Sequence, residues 1–183
     1  MVGLNRRFYE IIVEGQRLIS EAGGLKSIEV HMPEDIDRIP KNQAAIARQQ
    51  WQFANSIHLI DLFRFFGGDV AKVTCINIGK NLQNRSYNAL IEFVDGAIGH
   101  YNAQWYAPGG WRVALYADDL TITYQPIEQA QVQYRVKDAI PLLPAGPDTH
   151  LKPGLYGQAE AFAEFLATGN LPAPAADLND YFR

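Results

Sequence analysis

The chain has 183 residues, enough for one domain with a single substantial core, and 48% of them are apolar. Its formal net charge of −4 comes from mixed acidic and basic residues, which form no basic patch suited to a phosphate backbone, so nucleic acid is not an expected partner. No run approaches the roughly 20 apolar residues of a membrane span, and the amino terminus turns polar too early for a secretory signal. The expected location is therefore the cytoplasm, with no membrane partner.

The first third of the chain predicts a helix, a strand and a long polar segment. Residues 6–21 carry apolar side chains at helical spacing and end at Gly23-Gly24, which suits a carboxy-terminal cap. Residues 26–32 read as a strand. Residues 33–50 are polar and irregular, and their length exceeds that of most connections, which is typical of a lid or binding loop.

The next helix is predicted to begin at a cap on Asn55 or Ser56 and to be buried, because it is apolar nearly all round. Its polar residues His58, Asp61 and Arg64 recur every three positions and form one narrow stripe. Near the positive end of the helix dipole, His58 would be a neutral imidazole able to hydrogen-bond a reacting hydroxyl. The alternative is a core histidine bonded to Asp61, with Arg64 completing an ion pair.

Residues 70–136 alternate with a period of two and predict six or so strands in an α+β fold, an open, mainly antiparallel mixed sheet with helices on one face. The turns Asp95-Gly96 and Pro108-Gly109-Gly110 are predicted to join neighbouring strands as hairpins. The second face carries mostly Gln, Thr, His and Asn. It is either solvated or paired with its copy in another subunit. Cys75, the only cysteine, lies in the apolar alternation and is predicted to be a buried, inert thiol.

After the strands, four prolines in residues 137–153 indicate a segment that crosses the surface and cannot continue the sheet. Residues 156–168 predict an amphipathic helix through Ala159, Phe162, Phe165 and Leu166. A short terminal helix is predicted over residues 175–182.

Several sites are excluded by their missing motifs. The sequence has no GxGxxG, no GxxxxGK[ST] and no HExxH, so neither a nucleotide-phosphate loop nor a zinc-protease site is predicted. The remaining histidines lie on separate elements without metal-ligand spacing. Trp105, Tyr106 and Trp111 surround the Pro-Gly-Gly turn, where they either stack on a sugar ring or pack their own hairpin.

Four segments resemble, in order, the carboxy-terminal domain of the Gfo/Idh/MocA oxidoreductases. They are NRRF with its helix and GGLKSIEV, NSIHLIDLFRFFGGDV, ALIEFVDGAIGHYNAQWYAPGGWRVALYADD, and YGQAEAFAEFLATGNLP. The resemblance implies one domain over residues 1–183 with the fold of the carboxy-terminal domain of glyceraldehyde-3-phosphate dehydrogenase. Residues 1–5 would be the remnant of the last strand of an amino-terminal Rossmann domain, which binds NAD or NADP in complete members.

The same resemblance implies a set of site residues. His58 matches the family histidine that contacts the substrate carbon undergoing oxidation, but Ala54 stands where the family commonly has an aspartate, so Asn55 or Asp61 would orient the imidazole or the sugar. Arg6 and Arg7 match paired arginines at the domain junction. The variable stretch that shapes substrate specificity contains Arg48 and Trp51.

The expected function is the substrate-binding and oligomerisation half of an NAD(P)-dependent sugar or sugar-nucleotide oxidoreductase, not catalytic by itself. The expected partners are a sugar-type small molecule, a second copy on the open sheet face, and a separate or missing Rossmann domain. The chain itself is expected to bind no cofactor and no metal. The alternative is a free-standing, non-enzymatic module that binds a sugar or assembles other subunits.

Overall fold

A single open sheet forms the centre of the molecule in the computed structural model, which describes residues 1–35, 44–79 and 85–179. Its spatial order in chain numbering is β2-β3-β4-β1-β5-β6-β7-β8, with β1 and β4 parallel and every other neighbouring pair antiparallel. The strands β1 to β8 are Ser27–Pro33, Val70–Ile78, Ser86–Phe93, Ile98–Gln104, Arg112–Tyr116, Leu120–Tyr124, Ala130–Tyr134 and Ile140–Leu142.

The helices lie before, between and after the strands. They are α1 Glu10–Glu21, α2 Ala45–Gln49, α3 Ile57–Gly67 and α4 Leu155–Thr168, with 3₁₀ turns at Asn5–Phe8 and Pro147–Thr149 and a π-helical turn at Gln52–Ser56. The predicted α+β class with an open mixed sheet is therefore confirmed. The part of the predicted loop that the structure describes contains α2, while residues 36–43 of that loop lie outside the described residues.

The core lies between the sheet and the helices α1 and α3. Ile12 of α1 and Leu59 and Leu62 of α3 are fully buried against it. Helix α1 comes so close to the sheet at Gly15 that a Cβ there would lie 1.8 Å from the Tyr124 hydroxyl oxygen, and that hydroxyl donates a hydrogen bond to the Ile11 carbonyl at 3.2 Å. Only glycine allows this approach.

The inward alternation predicted for β4 is correct. Every second residue from just before β4 to just after it faces the helices and is buried. These residues are Ala97, Gly99, Tyr101, Ala103 and Trp105. The opposite side carries the polar residues of the open face, where Asn102 donates a hydrogen bond to Asn88 of β3 at 2.7 Å. Farther along this face, Thr121 lies opposite Gln133 and Thr123 lies opposite Gln131.

Two predictions about strand connections are wrong. The Asp95-Gly96 turn does join the paired strands β3 and β4, but the Pro108 to Gly110 turn does not make a hairpin, because β1 lies between β4 and β5 and pairs with both. The segment after residue 136 does continue the sheet through β8, where Pro141 lies opposite Gln131. Proline is tolerated there because β8 is the last strand at that edge and needs no donor on its outer side.

Cys75 is exposed, so its predicted burial is wrong. It lies on β2, the strand at the other edge of the sheet, and all nine residues of β2 are exposed. The apolar alternation of β2 is real, but no described helix covers that part of the sheet. Cys75 instead lines an open apolar groove of about 280 Å³ between β2, β3 and α3.

Helix α4 is present, but its predicted apolar stripe is largely not buried. It packs on the Asn5–Phe8 turn, and Ala161 is its one fully buried residue. Phe162 and Leu166 are 46% and 68% exposed. Of the terminal helix predicted over residues 175–182, the structure describes residues 175–179, of which only 178 and 179 are helical, and Val2 pairs with Ala176 through an isolated antiparallel bridge.

Candidate active site

The helical segment that carries His58 begins earlier than the sequence predicts. Trp51 is already helical, a π-helical turn spans Gln52–Ser56, and α3 continues from it without a break. Ser56 has helical dihedral angles and makes no side-chain capping bond, so the predicted cap at Asn55 or Ser56 is wrong. His58 therefore lies inside a continuous helical segment, and the unpaired backbone N–H groups of a helix amino terminus do not lie beside it. Single π-turns inside helices are frequent at functional sites.

His58 is half-buried, and its Nδ1 atom is buried without a hydrogen-bond partner. Burial is the main reason that its pKa falls to about 4, and the positive charge of Arg6 lowers it further. The imidazole is neutral at pH 7 for these two reasons rather than because of the helix dipole. A neutral imidazole can accept a proton from a hydroxyl group or donate a hydrogen bond to it.

Arg6 lies between two aromatic rings beside His58. Its guanidinium carbon is 5.6 Å from the centre of the Tyr9 ring and 5.7 Å from the centre of the Trp111 ring. Its Nη1 donates to the Asn5 side chain at 2.6 Å, while its Nε is buried without a partner. Within the described ranges no carboxylate forms an ion pair with it, and its charge acts on His58. The cluster of Arg6, His58, Asn55, Trp51 and Trp111 is called the cleft below.

Glu34 is a residue of this cleft that the sequence analysis missed. It follows β1 directly, and its Oε1 accepts hydrogen bonds from Asn55 Nδ2 at 2.9 Å and Trp111 Nε1 at 3.2 Å. Burial raises the pKa of the Glu34 carboxyl, and the hydrogen bonds from Trp111 and Asn55 act against that rise, as does the nearby Trp51 N–H, which forms no hydrogen bond of normal geometry. A carboxylate at the end of a strand, next to a suspected binding loop, was the sequence signal available for it.

The three aromatic residues around the Pro-Gly-Gly turn do not act as one group. Trp111 lines the cleft, whereas Trp105 is fully buried and packs at 5.5 Å against Tyr87. Tyr106 is 56% exposed. Of the two interpretations, packing holds for Trp105.

Several polar nitrogen atoms near this cleft are buried without a hydrogen-bond partner. They are Arg6 Nε, Trp51 Nε1 and His58 Nδ1. Buried polar groups are nearly always paired, so unpaired ones that belong to neighbouring residues indicate a site completed by a ligand or by water. On its other side His58 borders an open pocket of about 310 Å³, which is also lined by Ala54 and Phe53.

Arg7 lies in a different direction from Arg6. It makes two hydrogen bonds of 2.7 Å with the Asp61 carboxylate, and both side chains are buried. Arg64 pairs with Asp69 at 2.7 Å. Asp61 is therefore engaged with Arg7, and the alternative in which it satisfies His58 is wrong.

The structure brings together His58, Arg6, Asn55 and Trp51 but leaves Arg7 in a structural ion pair. The Arg48 backbone lies in α2, and its side chain is outside what the structure describes.

No group of three or more His, Cys, Asp or Glu in residues 1–35, 44–79 and 85–179 could hold a metal ion. His31 and His100 lie on the open face of β1 and β4 respectively, away from His58. Among the helices that the structure describes, none is both long and apolar enough to cross a membrane.

The fold is shared with solved oxidoreductases. Levoglucosan dehydrogenase in complex with NADH and levoglucosan matches with a TM-score of 0.75 and 19% identity, over 99% of this chain and 60% of that one. UDP-N-acetylglucosamine 3-dehydrogenase from Acidithiobacillus ferrooxidans matches with a TM-score of 0.70 and 13% identity, over 92% and 52%. An oxidoreductase from Thermotoga maritima matches with a TM-score of 0.71 and 12% identity, over 98% and 55%.

The chain has the fold of one part of these oxidoreductases. The resemblance predicted from the sequence is confirmed at the level of the fold, since these neighbours are of the Gfo/Idh/MocA type. The chain spans about 60% or less of the length of each of these three neighbours. No protein-family model matches the sequence, and a search of the curated proteins found no match.

Proposed function

We propose that this chain is the substrate-binding and oligomerisation half of an NAD(P)-dependent sugar or sugar-nucleotide oxidoreductase. The observation that carries the proposal is the cleft in which the neutral imidazole of His58 lies beside Arg6, with unpaired buried nitrogens on both residues. Concave sites with a few convergent polar groups and aromatic walls are typical of small-molecule binding. The shared fold with a dehydrogenase that was solved with a sugar supports the class of ligand.

In this proposal His58 accepts the proton that a hydroxyl group loses when its carbon is oxidised to a carbonyl. A neutral imidazole at working pH is the form that this role requires. Burial, helped by the charge of Arg6, keeps the imidazole neutral, and Arg6 supplies positive charge where the substrate oxygen develops negative charge. Asn55 and Trp51 belong to the same cluster, and together with Arg48 they are the proposed substrate-binding residues.

The described residues do not fit a dinucleotide. The only parallel strand pair among them, β1 and β4, is connected through α2, α3, β2 and β3 rather than through a single crossover helix with a glycine-rich turn. The nucleotide, which would accept the hydride when bound, must therefore be held by another part of the protein or by a separate subunit. On its own the chain is proposed not to catalyse hydride transfer.

Helix α4 supports a missing or separate nucleotide-binding partner. Its apolar side chains Leu155, Phe162 and Leu166 are exposed, and the helix packs on the Asn5–Phe8 turn. This turn contains Arg6, which lies beside His58 in the cleft. Since the chain spans only part of the length of the neighbouring dehydrogenases, we propose that the nucleotide-binding part covers these three side chains of α4.

The open sheet face is proposed to be the surface of homo-oligomerisation. Its outer half presents Thr121, Thr123, Gln131 and Gln133, none of which carries a charge. Uncharged polar side chains cost less to remove from water than Lys or Glu, so such a face can be buried against a second copy.

Ala54 favours a second candidate function, a non-enzymatic sugar-binding or assembly module. Its methyl group lies at the pocket beside His58 and cannot relay a proton. If another group does not replace the expected aspartate, the site binds a sugar without turning it over.

Binding of sugars to the whole chain tests the proposal. Saturation-transfer NMR with levoglucosan, D-glucose and UDP-N-acetylglucosamine should show transfer to at least one of them, and His58→Gln should reduce it. His150→Gln, which changes an exposed histidine in the segment between β8 and α4, is the matched control. Absence of transfer to all three probes would contradict sugar binding.

A further inference from the structure

The two hydrogen bonds that the Glu34 carboxylate accepts from described residues both go to one of its two oxygen atoms. Both donors, Asn55 Nδ2 and Trp111 Nε1, reach the same oxygen, Oε1. Among the described residues no hydrogen bond of normal geometry reaches Oε2, although the Trp51 N–H lies near the carboxylate, and no cation forms an ion pair with the group. A half-buried carboxylate without a positive partner is costly, so a protein that keeps one has a use for its charge.

The neighbours of Glu34 connect it to His58. Asn55, which holds the carboxylate, lies three residues before His58 on the same helical segment. Trp111 donates to Glu34, and its ring faces the Arg6 guanidinium, whose charge acts on His58. The indole of Trp111 therefore separates an acidic end of the cleft at Glu34 from a basic end at Arg6.

We propose that Glu34 is a specificity-determining residue of this cleft, which accepts hydrogen bonds from hydroxyl groups of a sugar or polyol through Oε2. The inference rests on the proposed function and adds the residue that selects the ligand. An ionised carboxylate only accepts hydrogen bonds, which suits hydroxyl donors, while the Trp111 ring provides an apolar surface for the carbon-bound hydrogens of the sugar. Hydrogen bonds to a charged group are the stronger ones, so this contact discriminates between ligands with and without the hydroxyl.

The test compares the whole chain with its Glu34→Gln variant, which keeps the shape of the side chain and removes its charge. Each protein is titrated at pH 7 with levoglucosan and with D-glucose, and binding is followed by tryptophan fluorescence and saturation-transfer NMR. The dissociation constant of the variant should rise at least about tenfold. Glu164→Gln, which changes an exposed glutamate on α4, is the control and should stay within about twofold of the parent.

A stability measurement distinguishes a ligand-binding role of Glu34 from a purely structural role. The urea midpoint of Glu34→Gln at pH 7 should equal or exceed that of the parent, because the variant removes an uncompensated buried charge. Weaker binding with a maintained midpoint supports the inference. Binding within twofold of the parent would overturn it and leave the proposed function standing, and a lowered midpoint in parallel with weaker binding would overturn it in favour of a structural glutamate. Failure of the parent chain to bind either sugar would reject both proposals together.

Discussion

Arg7 and Asp61 form a buried two-pronged ion pair in which Nε donates to Oδ2 and Nη2 donates to Oδ1, each at 2.7 Å. The pair joins the Asn5–Phe8 turn to α3, and Arg7 also donates to the Pro174 carbonyl at 3.4 Å. It thereby fixes the direction of the turn from which Arg6 reaches the cleft. Arg6 and Arg7 are adjacent in sequence, yet Arg6 lies beside His58, while Arg7 forms the ion pair that joins the turn to α3.

Removing one member of this pair should be strongly destabilising. Arg7→Met removes the buried guanidinium that donates two hydrogen bonds to Asp61, and the free energy of unfolding should fall by about 3 kcal/mol or more. Arg7→Met with Asp61→Leu removes both charges and should restore most of that loss. Urea unfolding of the parent, both single variants and the double variant measures the coupling. A single-variant loss below about 1 kcal/mol would show that the pair is not buried as described.

The depressed pKa of His58 predicts how stability depends on pH. Between about pH 4 and 6.5 the unfolded chain binds a proton that the folded chain does not, so the free energy of unfolding should fall as the pH drops through this window. His58 is partly exposed, so the expected contribution is about 1–2 kcal/mol after solvent screening. His58→Ala should remove this pH dependence and change stability at pH 7.5 by within about 1 kcal/mol. Unfolding curves at several pH values measure it, with His150→Ala retaining the profile of the parent.

The chain alone is predicted to bind neither NAD nor NADP appreciably. The described residues provide no glycine-rich turn at the amino terminus of a crossover helix, which is the feature that holds a pyrophosphate. Calorimetric titration with each nucleotide should show no heat of binding at concentrations of hundreds of micromolar. Binding of either nucleotide in the micromolar range would reveal a dinucleotide site different from the known motif.

The open sheet face is predicted to associate with a second copy at tens of micromolar. Thr121→Lys with Gln131→Lys places charges on adjacent strands of this face and should shift the chain to monomer, because unpaired charges in a desolvated interface cost several kcal/mol. Phe162→Lys with Leu166→Lys on α4 is the matched control and should leave the assembly intact. Multi-angle light scattering measures the mass. A monomeric parent chain, or dissociation caused by the α4 pair instead, would place the interface elsewhere or remove it.

Features that depend on local sequence could be predicted, and those that depend on distant pairing could not. The inward alternation around Tyr101 follows from the period of a strand, so it was correct. Glu34 was missed because its partners Asn55 and Trp111 are remote in sequence, and Cys75 was misplaced because alternation does not reveal which strand stands at an uncovered edge. The early start of the His58 helix was missed because a π-turn has no sequence signature comparable to a cap.

The position of β1 between β4 and β5 has a consequence for how the chain folds. The strands β2 to β4 form a meander of local hairpins, and β5 to β8 form another, but neither meander can join the other without β1. During synthesis β1 emerges before both, and its backbone cannot pair within the sheet until its two neighbours, β4 and β5, have been made. Closing such long loops is slow relative to hairpin formation, so the docking of β1 should limit the folding rate. Until then the nascent chain exposes a strand capable of pairing with other chains, which makes this interval the one most prone to aggregation.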